Sequence, residues 1–477
     1  MPTSAARPNI IVVFTDQQRW DTTGAGGNPL GLTPEFDEMA HAGTYLAQAF
    51  TANPVCAPAR AAIQTGTYGT TSGCYRNGTT LGGARTMAHH FADAGYATGY
   101  IGKWHLADSE PVPSDQRGGY ASWLGSNLLE FTSDAYRTIV FDDDGDPVML
   151  PGYRSDALFD AAIRFVADHS RPSLTSGRAA APFFLFCSLI EPHHQNEVDT
   201  YPAPTGYAQR YTGRWMPPDL IAGDSDSSTA HEHMGGYLGQ IRRIDEGLGR
   251  LIDALRSVGQ LENTIIAFTS DHGNHFRTRN AEYKRSCHDS SIRVPFALRG
   301  PGFDGGGRVD RPVSTIDLPP TLLDAAGIDV PEEMQGHSIV PLLHESDPEF
   351  PGEAFVQVSE SELGRTIRTE RWKYHVVAPQ ADPWTENSSD RYLESELYDL
   401  ANDPYELRNV AGVPAFADVA EELRQRLVRR MVAAGETAPV IEAAPRRSAP
   451  LQPTPQVDDG TWIPVRFGHQ SPQVARP

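Results

Sequence analysis

Three short runs of the chain are apolar at nearly every position: NIIVVFT (9–15), APFFLFCSL (181–189) and TIIAFT (264–269). A strand solvated on one face alternates apolar with polar residues, whereas a strand covered on both faces is apolar throughout. These runs are too short for helices, so they predict buried strands of a sheet sandwiched by helices. A different period marks the helices. In YLGQIRRIDEGLGRLIDALRSVG (237–259), Leu238, Ile241, Ile244, Leu248, Leu251 and Leu255 recur every three or four positions, as on an amphipathic helix. TMAHHFADAGYATGYIGK (86–103) reads as helix, Gly turn and strand. Strands alternating with helices predict an α/β fold with a large mixed, mostly parallel sheet.

After GHSIVPLLH (336–344) the texture changes. EAFVQVS, RTIRTERWKYHVV and SELYDLANDPYELRNV read as short strands and turns, followed by a closing helix near 415–434. The expected organisation is a catalytic α/β domain over 1–348, a smaller α+β subdomain over 349–440 and a Pro-rich tail over 441–477. The tail suggests an arm over a neighbour, and so a homo-oligomer.

Charge narrows the partners. The 477-residue chain carries a formal charge of −21, and no Lys/Arg block offsets it, which argues against nucleic acid and acidic membrane surfaces. No apolar run approaches the roughly 20 residues that span a bilayer. The first residues lack the basic, apolar and small-residue order of a signal peptide, so a cytoplasmic protein is expected. Four scattered cysteines, Cys56, Cys74, Cys187 and Cys287, form neither a disulfide framework nor a CxxC pair.

Candidate chemistry gathers at strand ends. VVFTD ends on Asp16 and IAFTSD on Asp271, with His272 next. Ligands of open α/β sheets collect at the carboxyl ends of strands, so the two Asp and the His suit a hard cation. Each Asp alone serves equally as a helix or turn cap. Cys56, in VCAPARAAIQTG, is by itself a small hydrophobe. Yet Pro58 suits a first helical turn and Arg60 adds a cation, so the segment also suits an anion. Arg60 follows Cys56 too soon for the C-x5-R loop of thiol phosphatases. GYIGKWHL supplies Lys103 and His105, SLIEPHHQN supplies His193 and His194, and AEYKRSCHD supplies Lys284. Each is ordinary alone; their shared place after strands suggests one site.

These residues resemble those of the type I sulfatases, the formylglycine-dependent branch of the alkaline-phosphatase-like superfamily. CAPAR fits the C-x-P-x-R modification signature, and PNIIVVFTDQ, GYIGKWHL, TSDHG, SIRVPFALRGPG, DLPPTLLDAAGI and ELYDLANDPYELRNV follow as landmarks, in order, over about 8–430. The resemblance implies that a formylglycine-generating enzyme oxidises Cys56 to Cα-formylglycine, whose hydrate is the nucleophile that releases sulfate from an ester. It implies Asp16, Gln17, Asp271 and His272, with the group made from Cys56, as ligands of a divalent cation. Arg60 would steady the deprotonated hydroxyl, His105 act as base, Lys103 and Lys284 bind sulfate oxygens, and His193 serve the leaving oxygen. Many relatives carry two Asp where this chain has Asp16-Gln17. Asp-Gln with Asp-His also resembles choline sulfatases and phosphonate monoester hydrolases, which orders the metals as calcium, then manganese or magnesium. It also keeps phosphonate and phosphodiester hydrolysis as an alternative. A catalytically silent binding protein is a further one. The substrate is expected to be a small-molecule or oligosaccharide sulfate ester, with Glu191, His194, Asn196, Trp123 and Arg19 as candidate pocket residues and Trp20 beside them.

Overall fold

The computed structural model describes residues 7–170, 181–222, 227–344 and 350–452. The three apolar runs form Asn9–Thr15, Phe183–Ser188 and Thr264–Ser270, adjacent at the centre of a ten-stranded sheet. In spatial order the strands are Gly307–Val309, Thr44–Leu46, Phe296–Arg299, Thr264–Ser270, Asn9–Thr15, Phe183–Ser188, Ala97–Lys103, Ser122–Ser126, Thr138–Phe141 and Pro147–Leu150. The central strands run parallel, with Val12 opposite Phe186 on one side and Ala267 on the other. Antiparallel pairs lie towards the edges, so the sheet is mixed.

Both faces of the first strand are dry, which is why residues 10–14 are all apolar. Ile10, Val12 and Phe14 face a core with Ala57, Ala61, Met87, Phe91, Leu318 and Leu322. Ile11 and Val13 face the opposite core, with Leu158, Phe159, Ile244 and Leu248. Burying a side chain of this kind is worth about 1.5–3 kcal/mol.

The amphipathic helix is longer than its pattern indicates: it runs Ser227–Ser257. Its N-terminal half contains Gly235, Gly236 and Gly239, which allow close approach: a Cβ on Gly236 would stand 2.2 Å from the Tyr201 carbonyl oxygen. Among the described residues no helix is long and apolar enough to cross a membrane.

A second sheet orders Glu353–Val358, Gly364–Thr369, Trp372–Val377, Arg391–Asp399 and Val440–Glu442, with only the last pair parallel. Helix Ala417–Ala433 covers it, packing Leu423, Leu427 and Met431 with Phe355, Ile367 and Tyr374. This is the smaller α+β subdomain. The segment expected as a tail starts within this sheet, and Leu451 pairs with Asn409; its remainder from 453 lies outside the described residues.

Candidate active site

The parallel strands end on one side of the sheet, and each delivers chemistry there. Asn9–Thr15 leads into Asp16, Thr264–Ser270 into Asp271 and His272, and Ala97–Lys103 ends on Lys103. Cys56 is the first residue of helix Cys56–Thr65, whose every residue is buried and whose four alanines allow the sheet to come close. Arg60 sits four residues on, one turn above Cys56 on the same face. Gly66, at φ 69°, ends the helix in the left-handed region.

Arg60 ties the strand ends together. Its Nη2 donates to Asp16 Oδ2 at 2.8 Å and to Asp271 Oδ2 at 3.2 Å. Its Nη1 donates to Ser188 Oγ at 2.8 Å and to the Lys103 carbonyl at 3.0 Å. Lys103 Nζ lies 2.8 Å from Asp16 Oδ2 and 3.0 Å from Glu130 Oε1. On the other side of Cys56, Lys284 Nζ stands 2.8 Å from Sγ, 3.1 Å from His272 Nε2 and 3.3 Å from His193 Nε2. His105, at φ 61°, hydrogen-bonds the Cys56 side chain. Asp16, Cys56, Lys103, His105, His193, Asp271, His272, Lys284 and Arg60 thus share one dry cluster.

The electrostatics favour an anion at Cys56. Burial pushes the thiol up, but Lys284, Lys103, His272 and the His105 hydrogen bond together hold it well below the ordinary thiol range. Burial and the Cys56 charge likewise push Asp16 up, and Lys103, His193 and Arg60 reverse this, leaving it strongly acidic. Burial and the facing Asp16 raise Asp271 to about 6. Two carboxylates in one dry site resist double ionisation unless a cation joins them.

The donor set fits such a cation. Asp16, Cys56, Asp271 and His272 present ligand atoms within 4.8 Å of one another, all buried. The Gly273 carbonyl can only accept, so His272 Nδ1 carries the proton and donates to it at 3.0 Å. That leaves the Nε2 lone pair facing the cluster, as in a histidine ligand whose other ring nitrogen is held by a carbonyl. Asp16 Oδ1 lies 3.8 Å from the Cys56 sulfur and 3.8 Å from His272 Nε2. Gln17 enters through its backbone, whose N–H donates to Asp271 Oδ1 at 2.9 Å. Its amide oxygen lies 3.4 Å from His194 Nδ1, and its buried amide nitrogen has no partner.

The expected pocket residues fare differently. His194 stacks between His193 and Tyr283, at ring distances of 4.4 and 4.5 Å, beside the cluster. Asn196 is exposed on the following loop. Four others are corrected. Trp123 is 3 % exposed and stacks on Tyr100 at 5.0 Å, inside the core. Arg19 is buried in bidentate pairs with Asp21 and Asp219, and Trp20 lies under the Arg293 guanidinium at 3.8 Å. Glu191 is sealed against Arg154 at 2.8 Å. The Arg19 guanidinium is saturated by its carboxylates, while Trp123 Nε1 and Glu191 Oε2 are buried without a hydrogen-bond partner among the described residues. Sequence reasoning missed Glu130, Ser188 and Asn77, whose Oδ1 accepts from the Ala57 N–H at 3.1 Å; no local motif marks them.

Comparison with known proteins gives the class. Residues 8–328 match the sulfatase family model, and residues 281–433 match the C-terminal model of N-sulphoglucosamine sulphohydrolase. An ulvan-active sulfatase of Formosa agariphila is 30% identical over 451 residues, covering 90% of this chain and 82% of the relative. An N-acetylglucosamine-6-O-sulfatase of Bacteroides thetaiotaomicron is 27% identical, covering 88% and 86%. A structure solved in complex with its substrate D-glucosamine-2-N,6-O-disulfate superposes with a TM-score of 0.76 at 25% identity, covering 91% of this chain and 99% of the other. The chain belongs to the sulfatase family. It hydrolyses a sulfate ester to an alcohol and inorganic sulfate, using a formylglycine made from Cys56 and a divalent cation in the buried Asp–Cys–Asp–His cluster.

Proposed function

We propose that the substrate is a sulfated saccharide. The observation that carries this reading is the similarity along about nine-tenths of the chain to proteins named for ulvan and N-acetylglucosamine 6-sulfate. The solved complex with a glucosamine disulfate supports it. Formylglycine, as its hydrate, supplies the nucleophilic oxygen at position 56, and the cation, calcium first and manganese or magnesium next, supplies Lewis-acid polarisation there. Asp16, Asp271, His272 and Gln17 would hold the cation. Arg60 and Lys103 fix Asp16 and keep its charge.

Lys284, with Lys103, clamps the sulfate oxygens as negative charge develops. His105 takes the proton that restores the aldehyde. His193 Nδ1 donates to the His194 carbonyl at 2.6 Å, so Nε2 is its working nitrogen. Burial lowers the His193 pKa, and the ring rests neutral; Nε2 would take up the proton that the attacking hydroxyl releases and pass it to the leaving oxygen. A formylglycine-generating enzyme matures the chain by acting on Cys56 within CAPAR.

The test is a side-by-side assay on N-acetylglucosamine 6-sulfate, an aryl sulfate, phenyl phosphonate and a phosphodiester. The highest kcat/KM is expected on the sugar sulfate. A preference for phosphorus would support the phosphonate hydrolase alternative, and a preference for the aryl sulfate would remove the saccharide assignment.

A further inference from the structure

Glu360 lies in the C-terminal subdomain, just past strand Glu353–Val358, yet it touches two segments of the active site. Its side chain is fully buried. Oε1 accepts from the Asn77 N–H at 2.6 Å, and Oε2 accepts from Arg285 Nε at 2.7 Å and lies 3.5 Å from Asn77 Nδ2. The contact at Nδ2 turns the Asn77 amide so that its Oδ1 faces the Ala57 N–H, next to Cys56. Arg285 adjoins Lys284, whose Nζ is 2.8 Å from Cys56 Sγ. Ser361 Oγ donates to the Arg285 carbonyl at 2.7 Å, so this strip of chain grips Arg285 by both side chain and backbone.

Glu360 and Arg285 both hold left-handed backbone, at φ 69° and 68°. Non-glycine residues keep that conformation only where their surroundings over-determine it, and such strain clusters at working sites. Here the carboxylate is the surrounding each shares.

We propose that Glu360 is a positioning residue for the sulfatase reaction, setting the Cys56 helix start through Asn77 and Lys284 through Arg285. The proposal rests on Lys284 as a sulfate-oxygen ligand. Misplacing a reacting group by about 1 Å can cost roughly a hundredfold in rate. Glu360→Gln keeps an acceptor for Asn77 but sets an amide N–H against a donor of Arg285 or Asn77. Arg285 keeps Glu282 at 2.7 Å, so the fold survives.

The test is a double-mutant cycle on kcat/KM for a sulfate ester, run with the mature enzyme. E360Q is expected to lose roughly tenfold to a hundredfold. In a K284A or N77A background the same change should cost much less, because one of its two routes is already gone. Losses that multiply within about twofold in both backgrounds overturn the proposal, since independent sites add in free energy. E436Q is the control: Glu436 is as buried, in the same subdomain, and pairs with Arg365 at 2.7 Å without touching the active site. It should lower the melting temperature and leave kcat/KM within about twofold; a fall as large as that of E360Q overturns the proposal. Should E360Q fail to fold, R285M carries the Lys284 arm of the cycle. K284A that binds inorganic sulfate as tightly as the wild type removes the premise and the proposal with it. Weakened sulfate binding in K284A together with multiplying losses overturns the proposal alone.

Discussion

Glu191 holds a buried arginine in place, and replacing it by Gln should therefore cost stability and leave substrate binding alone. It lies beside His193 in a loop that suits substrate binding, yet its Oε1 takes Arg154 Nε at 2.8 Å with both side chains at most 1 % exposed. The other partners of that guanidinium are neutral: the Ser133 carbonyl and hydroxyl and Gln195 Oε1. Removing the carboxylate strands a buried cation, which costs about 3–5 kcal/mol. Gln keeps one acceptor at the same place, so E191Q should fall near the low end, about 3 kcal/mol. At roughly 1 °C per kcal/mol for a chain of this size, the melting temperature should drop by about 3 °C. Thermal denaturation and Michaelis kinetics on the same preparations are the assay. The expected result is a lower melting temperature with KM unchanged. A raised KM at unchanged melting temperature would refute the reasoning and return Glu191 to the substrate.

Chelation should abolish sulfate release and lower the melting temperature, because Asp16 and Asp271 would then face each other with only Arg60 and Lys103 between them; adding back a divalent cation should restore both, and full activity after exhaustive chelation would remove the cation from the account. Asp245 accepts the Phe36 and Glu35 N–H groups at 2.9 and 3.2 Å, but burial outweighs these bonds and raises its pKa from 3.8 to about 7. A carboxyl raised on folding contributes stability below its unfolded pKa that is lost as pH rises to its folded one. Urea midpoints should therefore show a loss between about pH 4 and 7 that D245N flattens, and an unchanged slope in D245N would contradict this. W123F should lower stability by removing buried aromatic area from the stack with Tyr100, with KM unmoved; a KM change without destabilisation would place Trp123 in the pocket.

Much of the fold was legible because strands dry on both faces leave an unmistakable apolar run, as Asn9–Thr15 does. The chemistry was legible where it rides on strand ends and on the helix that opens with Cys56. What the chain does not display is who neutralises whom. Arg19 looks like a free cation beside the metal strand until Asp219, 200 positions away, is folded against it. Glu191 hides Arg154 in the same way. The work of Gly236 is invisible in the sequence for a related reason: it admits the Tyr201 backbone, 35 positions away. Glu130, Asn77 and Glu360 act on residues far away in the chain, and long-range contacts leave no local period to read.

The account stands on Cys56 as the precursor of the nucleophile. Mass analysis of the peptide spanning Cys56, taken from enzyme fractions of known specific activity, tests this directly. The account predicts the aldehyde mass at position 56, in a proportion that tracks sulfate release across fractions. Full activity in protein whose residue 56 carries only the thiol mass would contradict it.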